Sequence, residues 1–177
     1  MVIVALCFML SHKARAQAYR QLTVNDFAGT VPPGSEGLIA YTSCNVTMNY
    51  VSARTPRDVY RFVFDVQLVV NKSKSWIDHP HVYSKDMLEG IMRHEQGHYQ
   101  VAYLMQQEML RQFNQTRFTR NYANEITNIF NSIKNRYRQL NTDYDEDTQH
   151  MLNRKQQSAW ETWLNRQVMQ SGNLVMN

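Results

Sequence analysis

The sequence predicts an α+β fold, a single domain in which an N-terminal antiparallel sheet is followed by three helices, and three observations carry that expectation. Apolar residues alternate strictly through one long segment, the apolar period changes from two to about 3.6 from Ser84 onward, and the two regimes follow one another instead of interleaving. The alternation is clearest from Val59 to Val70, where Tyr60, Phe62, Phe64, Val66, Leu68 and Val70 share one face while Arg61, Asp65 and Gln67 share the other. Such a strand buries one face and wets the other. Residues 38–51, with Ile39, Tyr41, Val46, Met48 and Tyr50, supply its expected antiparallel partner, and Pro32-Pro33-Gly34 and Ser35-Glu36-Gly37 are turn signals ahead of it. The first helix is expected over Lys85 to Phe113, with Ser84 as N-cap and Met87, Ile91, Val101, Met105 and Met109 on one stripe. The second is expected over Arg120 to Leu140 around Tyr122, Ile126, Ile129, Ile133, Tyr137 and Leu140. The third is expected over Asp147 to Gln170 around Leu152, Ala159, Trp160, Trp163 and Leu164.

Size and charge narrow the function classes. A chain of 177 residues fits one compact domain, and a hydrophobic share of 43% with charged residues at 19% is globular rather than disordered. The longest apolar run, Met1 to Leu10, falls well short of the ~20 residues a membrane-spanning helix needs, so no integral membrane segment is expected. Followed by Ala14-Arg15-Ala16 and Ala16-Gln17-Ala18, that run reads as a secretory signal peptide over residues 1–18, leaving residues 19–177 as the domain of a secreted or periplasmic protein. Leu6 stands before Cys7 where a lipoprotein signal wants a small residue, which argues against a lipid anchor. Loss of Lys13 and Arg15 with the leader leaves 17 basic residues against 15 acidic ones and no basic cluster, which gives nucleic-acid binding no support. Cys44 then stands alone, so neither an internal disulfide nor a Cys-ligated zinc is expected.

Within the first helix, His94-Glu95-Gln96-Gly97-His98 matches the pattern H-E-x-x-H. Residues i and i+4 share a helical face, so both imidazoles can reach one zinc ion about 2.0–2.1 Å away. Glu95, turned about 100° around the axis, is set to reach a water held there rather than the ion. The plain alternative is coincidence on an ordinary helix. Against it, His94 and His98 fall on the inward stripe with Ile91, Val101 and Met105, where imidazoles cost stability unless bonded or liganded. Gly97 costs such a helix roughly 1 kcal/mol relative to Ala, and close packing behind the metal would explain it. A catalytic zinc generally has three protein ligands and an open position, so a third ligand is needed. Positions 99–110 contain no histidine, which excludes the metzincin pattern. The candidates are His150, Glu125, Asp145, Glu146, and the pair His79 and His81. Glu125 lies beside the apolar stripe of the second helix. His150 ends the run from Tyr144 to Gln149, whose acids, at the expected start of the third helix, also suit the helix dipole. His79-Pro80-His81 reads as a surface turn.

The order of these features resembles the DUF922 family, bacterial proteins described as predicted secreted zinc-dependent proteases. The resemblance rests on Leu22-Thr23-Val24-Asn25-Asp26-Phe27-Ala28-Gly29 with Pro32 following, and on Ser75-Trp76 after the long strand. It rests further on Arg93-His94-Glu95-Gln96-Gly97-His98-Tyr99, and on Tyr144-Asp145 with Thr148 and His150. It implies a zincin-like fold, His94 and His98 as zinc ligands, Glu95 as catalytic acid/base, and His150 as the third ligand ahead of Glu125. Family members often carry acidic residues soon after the second histidine, where this chain has Gln100 and Tyr103, and a Gly after the later histidine, where it has Met151. The expected function is a zinc metallopeptidase acting on a peptide or protein substrate. Tyr144 is a candidate oxyanion donor, and the 59–70 strand is an edge able to bind extended peptide. The alternative is a non-catalytic periplasmic binding or structural module, in which the metal fixes the helices and Trp76, Trp160 and Trp163 form a partner surface.

Overall fold

A computed structural model of the chain describes residues 18–35, 37–54 and 60–174. The apolar run Met1 to Leu10 with Cys7, the cleavage motifs as far as Gln17, Glu36 and Val59 lie outside the described residues. In chain order the elements are β1 (Ala40–Tyr41), β2 (Cys44–Arg54), β3 (Tyr60–Val70), β4 (Trp76–Ile77), α1 (Lys85–Gln115), α2 (Tyr122–Thr148) and α3 (Arg154–Leu174), with 3-10 turns at Val24–Asp26 and His79–His81. Strands precede three helices, as the change of period predicts. The expected single sheet is instead two antiparallel ladders, the long hairpin β2–β3 and the two-residue pair β1–β4. Residues 38–51 divide between them because the chain turns at Thr42-Ser43, where Ser43 N–H donates to the Ser75 hydroxyl (2.9 Å) instead of continuing either strand.

The hairpin register places Val46 opposite Leu68, Met48 opposite Val66 and Tyr50 opposite Phe64. Val46, Phe64, Val66 and Leu68 are buried while Val51, Val63 and Val69 face out, so the alternation of β3 does sort the two faces. The buried face lies on α1. Phe64 stacks on Phe113 with ring centroids 4.6 Å apart, and Gln106 donates its Nε2 to the Val66 carbonyl at 2.8 Å. Ser84 caps α1 by accepting from Met87 N–H. The helix is flanked by the hairpin on one side and by α2 and α3 on the other, which is why both Met109 and Leu104 are buried on it.

The second helix runs past Leu140 to Thr148, because Tyr144 and Thr148, both fully buried, continue its inward stripe beyond the last aliphatic residue. The acidic cluster therefore sits in the last turns of α2, not at the start of α3, and faces the negative end of the helix dipole. The helix stops on three consecutive left-handed residues, Gln149, His150 and Met151, with φ of 48°, 50° and 75°. Leu152 lies in the link with 76% exposure, and α3 begins only at Arg154, burying Gln157 and Leu164. No helix among the described residues is long and apolar enough to cross a membrane.

The segment from Leu22 to Gly29 is bolted down by Asp26, which is 3% exposed. Its carboxylate accepts from both Arg20 guanidinium nitrogens (2.8 and 3.0 Å) and from Thr23 N–H (2.9 Å), with the Lys72 ammonium at 3.3 Å. The Arg20 hydrogen bond outweighs burial and holds this carboxyl well below the usual carboxylate range. Beyond it, Gly29 N–H donates to the Ser75 carbonyl (2.8 Å), and an alanine methyl at 29 would sit 2.7 Å from the Ser73 carbonyl oxygen. Asp26→Asn is expected to cost about 2 kcal/mol in urea unfolding at pH 7. A depressed carboxyl stabilises above its unfolded value and loses that contribution as pH falls through its folded one. The gap between wild type and variant should thus close only well below pH 4, and a gap already absent at pH 5 would contradict the anchor.

Candidate metal centre

The five motif residues lie inside α1, and the helix turns them in different directions. His94 and Glu95 are buried, at 4% and 3% exposure, and His98 is half-buried. Gln96 points away and holds the N-terminal segment, its Oε1 accepting from Leu22 N–H (2.7 Å) and its Nε2 donating to the Tyr19 hydroxyl (2.9 Å). The two imidazoles meet with their Nε2 atoms 3.2 Å apart. Asp145, from the last turns of α2, places Oδ1 3.2 Å from each of them, and His150 Nδ1 lies 3.4 Å from the same oxygen.

The ring nitrogens on the far side fix the tautomers. His94 Nδ1 lies 3.1 Å from Gln157 Oε1, and His98 Nδ1 lies 2.8 Å from Asn141 Oδ1. The amide of Gln157 is itself oriented, since its Nε2 donates to the Tyr144 hydroxyl (2.9 Å) and to the Glu161 carboxylate (3.1 Å). Its oxygen must therefore face His94, so the imidazole donates from Nδ1 and turns the Nε2 lone pair inward. Two lone pairs and a carboxylate oxygen then converge at 3.2 Å, a repulsive arrangement unless a positive charge sits among them. A proton on one nitrogen is one solution and a divalent cation the other. Donor atoms about 2.0–2.1 Å from a tetrahedral ion are about 3.3–3.4 Å from one another, so these separations fit zinc without rearrangement. Without a cation, burial disfavours charge on His98, yet the Asp145 hydrogen bond and the nearby carboxylates outweigh it and raise its pKa. For Asp145 burial likewise opposes ionisation, and the hydrogen bonds from His94 and His98 overcome it and lower its pKa well beneath the usual carboxylate range.

Tyr144 is the wall behind the centre. Its fully buried ring stacks on His94 with centroids 4.8 Å apart and an interplanar angle of 17°, and its hydroxyl donates to the His94 carbonyl (3.0 Å). With its one proton committed there, it is a packing residue and not an oxyanion donor. Gly97 is what lets it in, because a methyl at 97 would overlap the Tyr144 hydroxyl and ring. The close packing expected at this glycine is thus present. Ala is ordinarily about 1 kcal/mol better than Gly in a helix. Gly97→Ala is expected instead to destabilise the protein by about 2–3 kcal/mol, the cost of overpacking a rigid site. Thermal unfolding checks the sign, and a stabilised variant would refute this placement of Tyr144.

Of the proposed third ligands, Asp145 and His150 reach the histidines and the others do not. Glu125 caps the start of α2, accepting from the backbone N–H and hydroxyl of Thr119, which lower its pKa. Glu146 is exposed beside the cluster, and His79 and His81 are exposed in their 3-10 turn, His81 with Nδ1 2.7 Å from Asp78. The left-handed run aims His150 at Asp145, at a backbone cost of order 1–3 kcal/mol for each such residue. Met151, where glycine is frequent in the resembling family, has the largest φ of the three. Asn141 and Gln157 have no signature in the sequence. The aromatic residues do not form one surface: Trp76 is buried, Trp160 is half-buried with its indole N–H on Asp147 (2.9 Å), and Trp163 is 39% exposed.

The histidines, Glu95 and Asp145 open on a cavity of about 400 Å³ between the chain at 38–46 and α2, floored by Ile91, Val101, Ala102 and Met105 of α1. Cys44 lines it, but burial pushes its thiol up to about 12, which removes it as a nucleophile. These features define a class: an α+β protein whose central helix presents an H-E-x-x-H pair to an aspartate and a histidine of the next helix end, at the head of an apolar groove. The chain matches the model of a bacterial protein family of unknown function, DUF922, over residues 10–151, and it belongs to that family. No curated protein and no solved structure matches it. His94, Glu95, His98, Asp145 and His150 all fall within the matched span, whereas Gln157 lies beyond it.

Proposed function

We propose that this protein is a secreted or periplasmic zinc-dependent metallopeptidase with a zincin-like arrangement. The observation that carries the reading is the convergence of His94 Nε2, His98 Nε2 and Asp145 Oδ1 at mutual distances of 3.2 Å, with both imidazoles oriented from behind by amide oxygens. These three would hold the ion, Asp145 taking the place that the family resemblance gives to His150. Zinc bound there supplies a Lewis acid that polarises a carbonyl and makes water a usable nucleophile near neutral pH. Glu95 is the base: its Oε2 is buried without a hydrogen-bond partner, so a carboxylate oxygen is available to take the proton of the attacking water and pass it to the leaving amine. His150, whose Nδ1 faces Asp145, offers its other ring nitrogen as a donor to a substrate oxygen. The apolar groove would hold the peptide flanks.

Purified protein should bind about one zinc per chain and hydrolyse an unfolded protein such as casein, with activity lost to a chelator and restored by zinc. Tight zinc binding with no cleavage of casein or of a mixed peptide library would instead support the non-catalytic module. Failure to bind zinc would remove both readings.

A further inference from the structure

The groove leading from the histidines is apolar on its floor but carries two cations on one wall. Lys134, Arg138, Asn141 and Asp145 all line it, at spacings of four, three and four on α2, so they form one stripe along the helix. Lys134 makes no ion pair or hydrogen bond among the described residues, and Arg138 donates only to Asn135 Oδ1 (3.2 Å). On the other side of the same helix Arg136 pairs with Glu108, as does Arg111. The two cations facing the groove are one helical turn apart and neither has a carboxylate within ion-pair distance among the described residues, the groove's own carboxylates, Glu95 and Asp145, lying at its far end with the histidines. We infer that Lys134 and Arg138 form a subsite for a carboxylate carried by the peptide substrate, at a fixed distance from the bond that is cleaved.

The inference rests on the peptidase reading of the centre and adds a substrate class to it. Arg138 lies seven residues before Asp145 and Lys134 eleven, about 10 and 16 Å along the helix axis. An extended peptide advances about 3.3 Å per residue, so the carboxylate falls about three to five residues from the reacting carbonyl. Between the two, Val101, Ala102 and Met105 offer the peptide an apolar floor. The carboxylate can come from an acidic side chain or from the peptide's own C-terminus.

The test uses zinc-loaded Glu95→Gln protein, so that binding is read without turnover, and nine-residue peptides of Ala, Leu and Ser carrying an uncharged BODIPY label. One Glu is walked along the peptide, with Gln as control, and the C-terminus is left free or amidated. Anisotropy should show at least tenfold tighter binding for peptides carrying the carboxylate at one register. K134A/R138A should abolish that preference while leaving affinity for the neutral amidated peptide unchanged. A preference lost on amidation identifies the terminus, and one lost on Glu to Gln identifies the side chain. Equal affinities, no peptide binding, or a preference that survives K134A/R138A would overturn the subsite. Cleavage of casein by the wild type without any carboxylate preference sinks the subsite and leaves the peptidase standing. A Lys134- and Arg138-dependent preference in a protein that cleaves nothing does the reverse.

Discussion

Asp145→Ala is expected to weaken zinc binding by about three orders of magnitude, whereas His150→Ala is expected to weaken it by about tenfold or less. Asp145 Oδ1 touches both motif nitrogens, while His150 has Nδ1 3.4 Å from Asp145, stands edge-on to the His94 ring with centroids 6.2 Å apart, and keeps 53% of its side chain exposed. A full set of ligands to a structural zinc supplies roughly 10–16 kcal/mol. Losing one inner ligand of three then costs ~4 kcal/mol, which at ~1.4 kcal/mol per decade is about a thousandfold. A group that merely orients a ligand is worth about 10–100-fold at most. Competition against a chromophoric chelator at pH 7 separates the two cases. The opposite order, with His150→Ala the damaging change, would return the third position to His150. Acid should work in the same direction as the Asp145 variant. Asp145 helps His98 retain its proton to higher pH than an ordinary imidazole, so zinc must displace that proton and affinity falls as pH drops.

That Asp145 rather than the sequence-favoured histidine is proposed as the third ligand traces to where α2 ends. The aliphatic marks of the stripe stop at Leu140, and the residues that continue it, Tyr144 and Thr148, are polar enough to look like the beginning of a link. With the helix cut short there, Asp145, Glu146 and Asp147 read as N-terminal capping acids, a role that needs no metal. Placed in the last turns of α2 they lose that explanation and gain an electrostatic cost. The motif itself was legible because both histidines and their spacing lie on one element. So was the hairpin, whose alternation in β3 survives in the burial of Phe64, Val66 and Leu68. What no local pattern carries is contact across elements. Gln157 reaches His94 from α3, Tyr144 fills the space Gly97 leaves, and Ser75 breaks the sheet by taking the N–H of Ser43. The left-handed run at Gln149, His150 and Met151 was hidden for a different reason, since it holds no glycine, asparagine or aspartate, and of the three only His150 is of a type enriched in such a backbone.

Glu95→Gln is expected to lower peptide hydrolysis by at least about a hundredfold while leaving zinc stoichiometry and Tm unchanged. The amide has the shape of the carboxylate and can occupy the same buried position. Because Oε2 has no partner to lose, little stability should go with the charge. What it cannot do is accept a proton, so the loss should fall on kcat with KM nearly unaltered. Glu95→Asp keeps the basicity but draws the carboxylate back toward the helix, and should give an intermediate loss, since proton transfer depends on reach before it depends on pKa. Activity equal to wild type in Glu95→Gln would mean that the cleavage measured is not made at this centre. The carboxylate would then be a buried helix residue beside a structural ion, and the convergence of His94, His98 and Asp145 would serve to tie the end of α2 to α1.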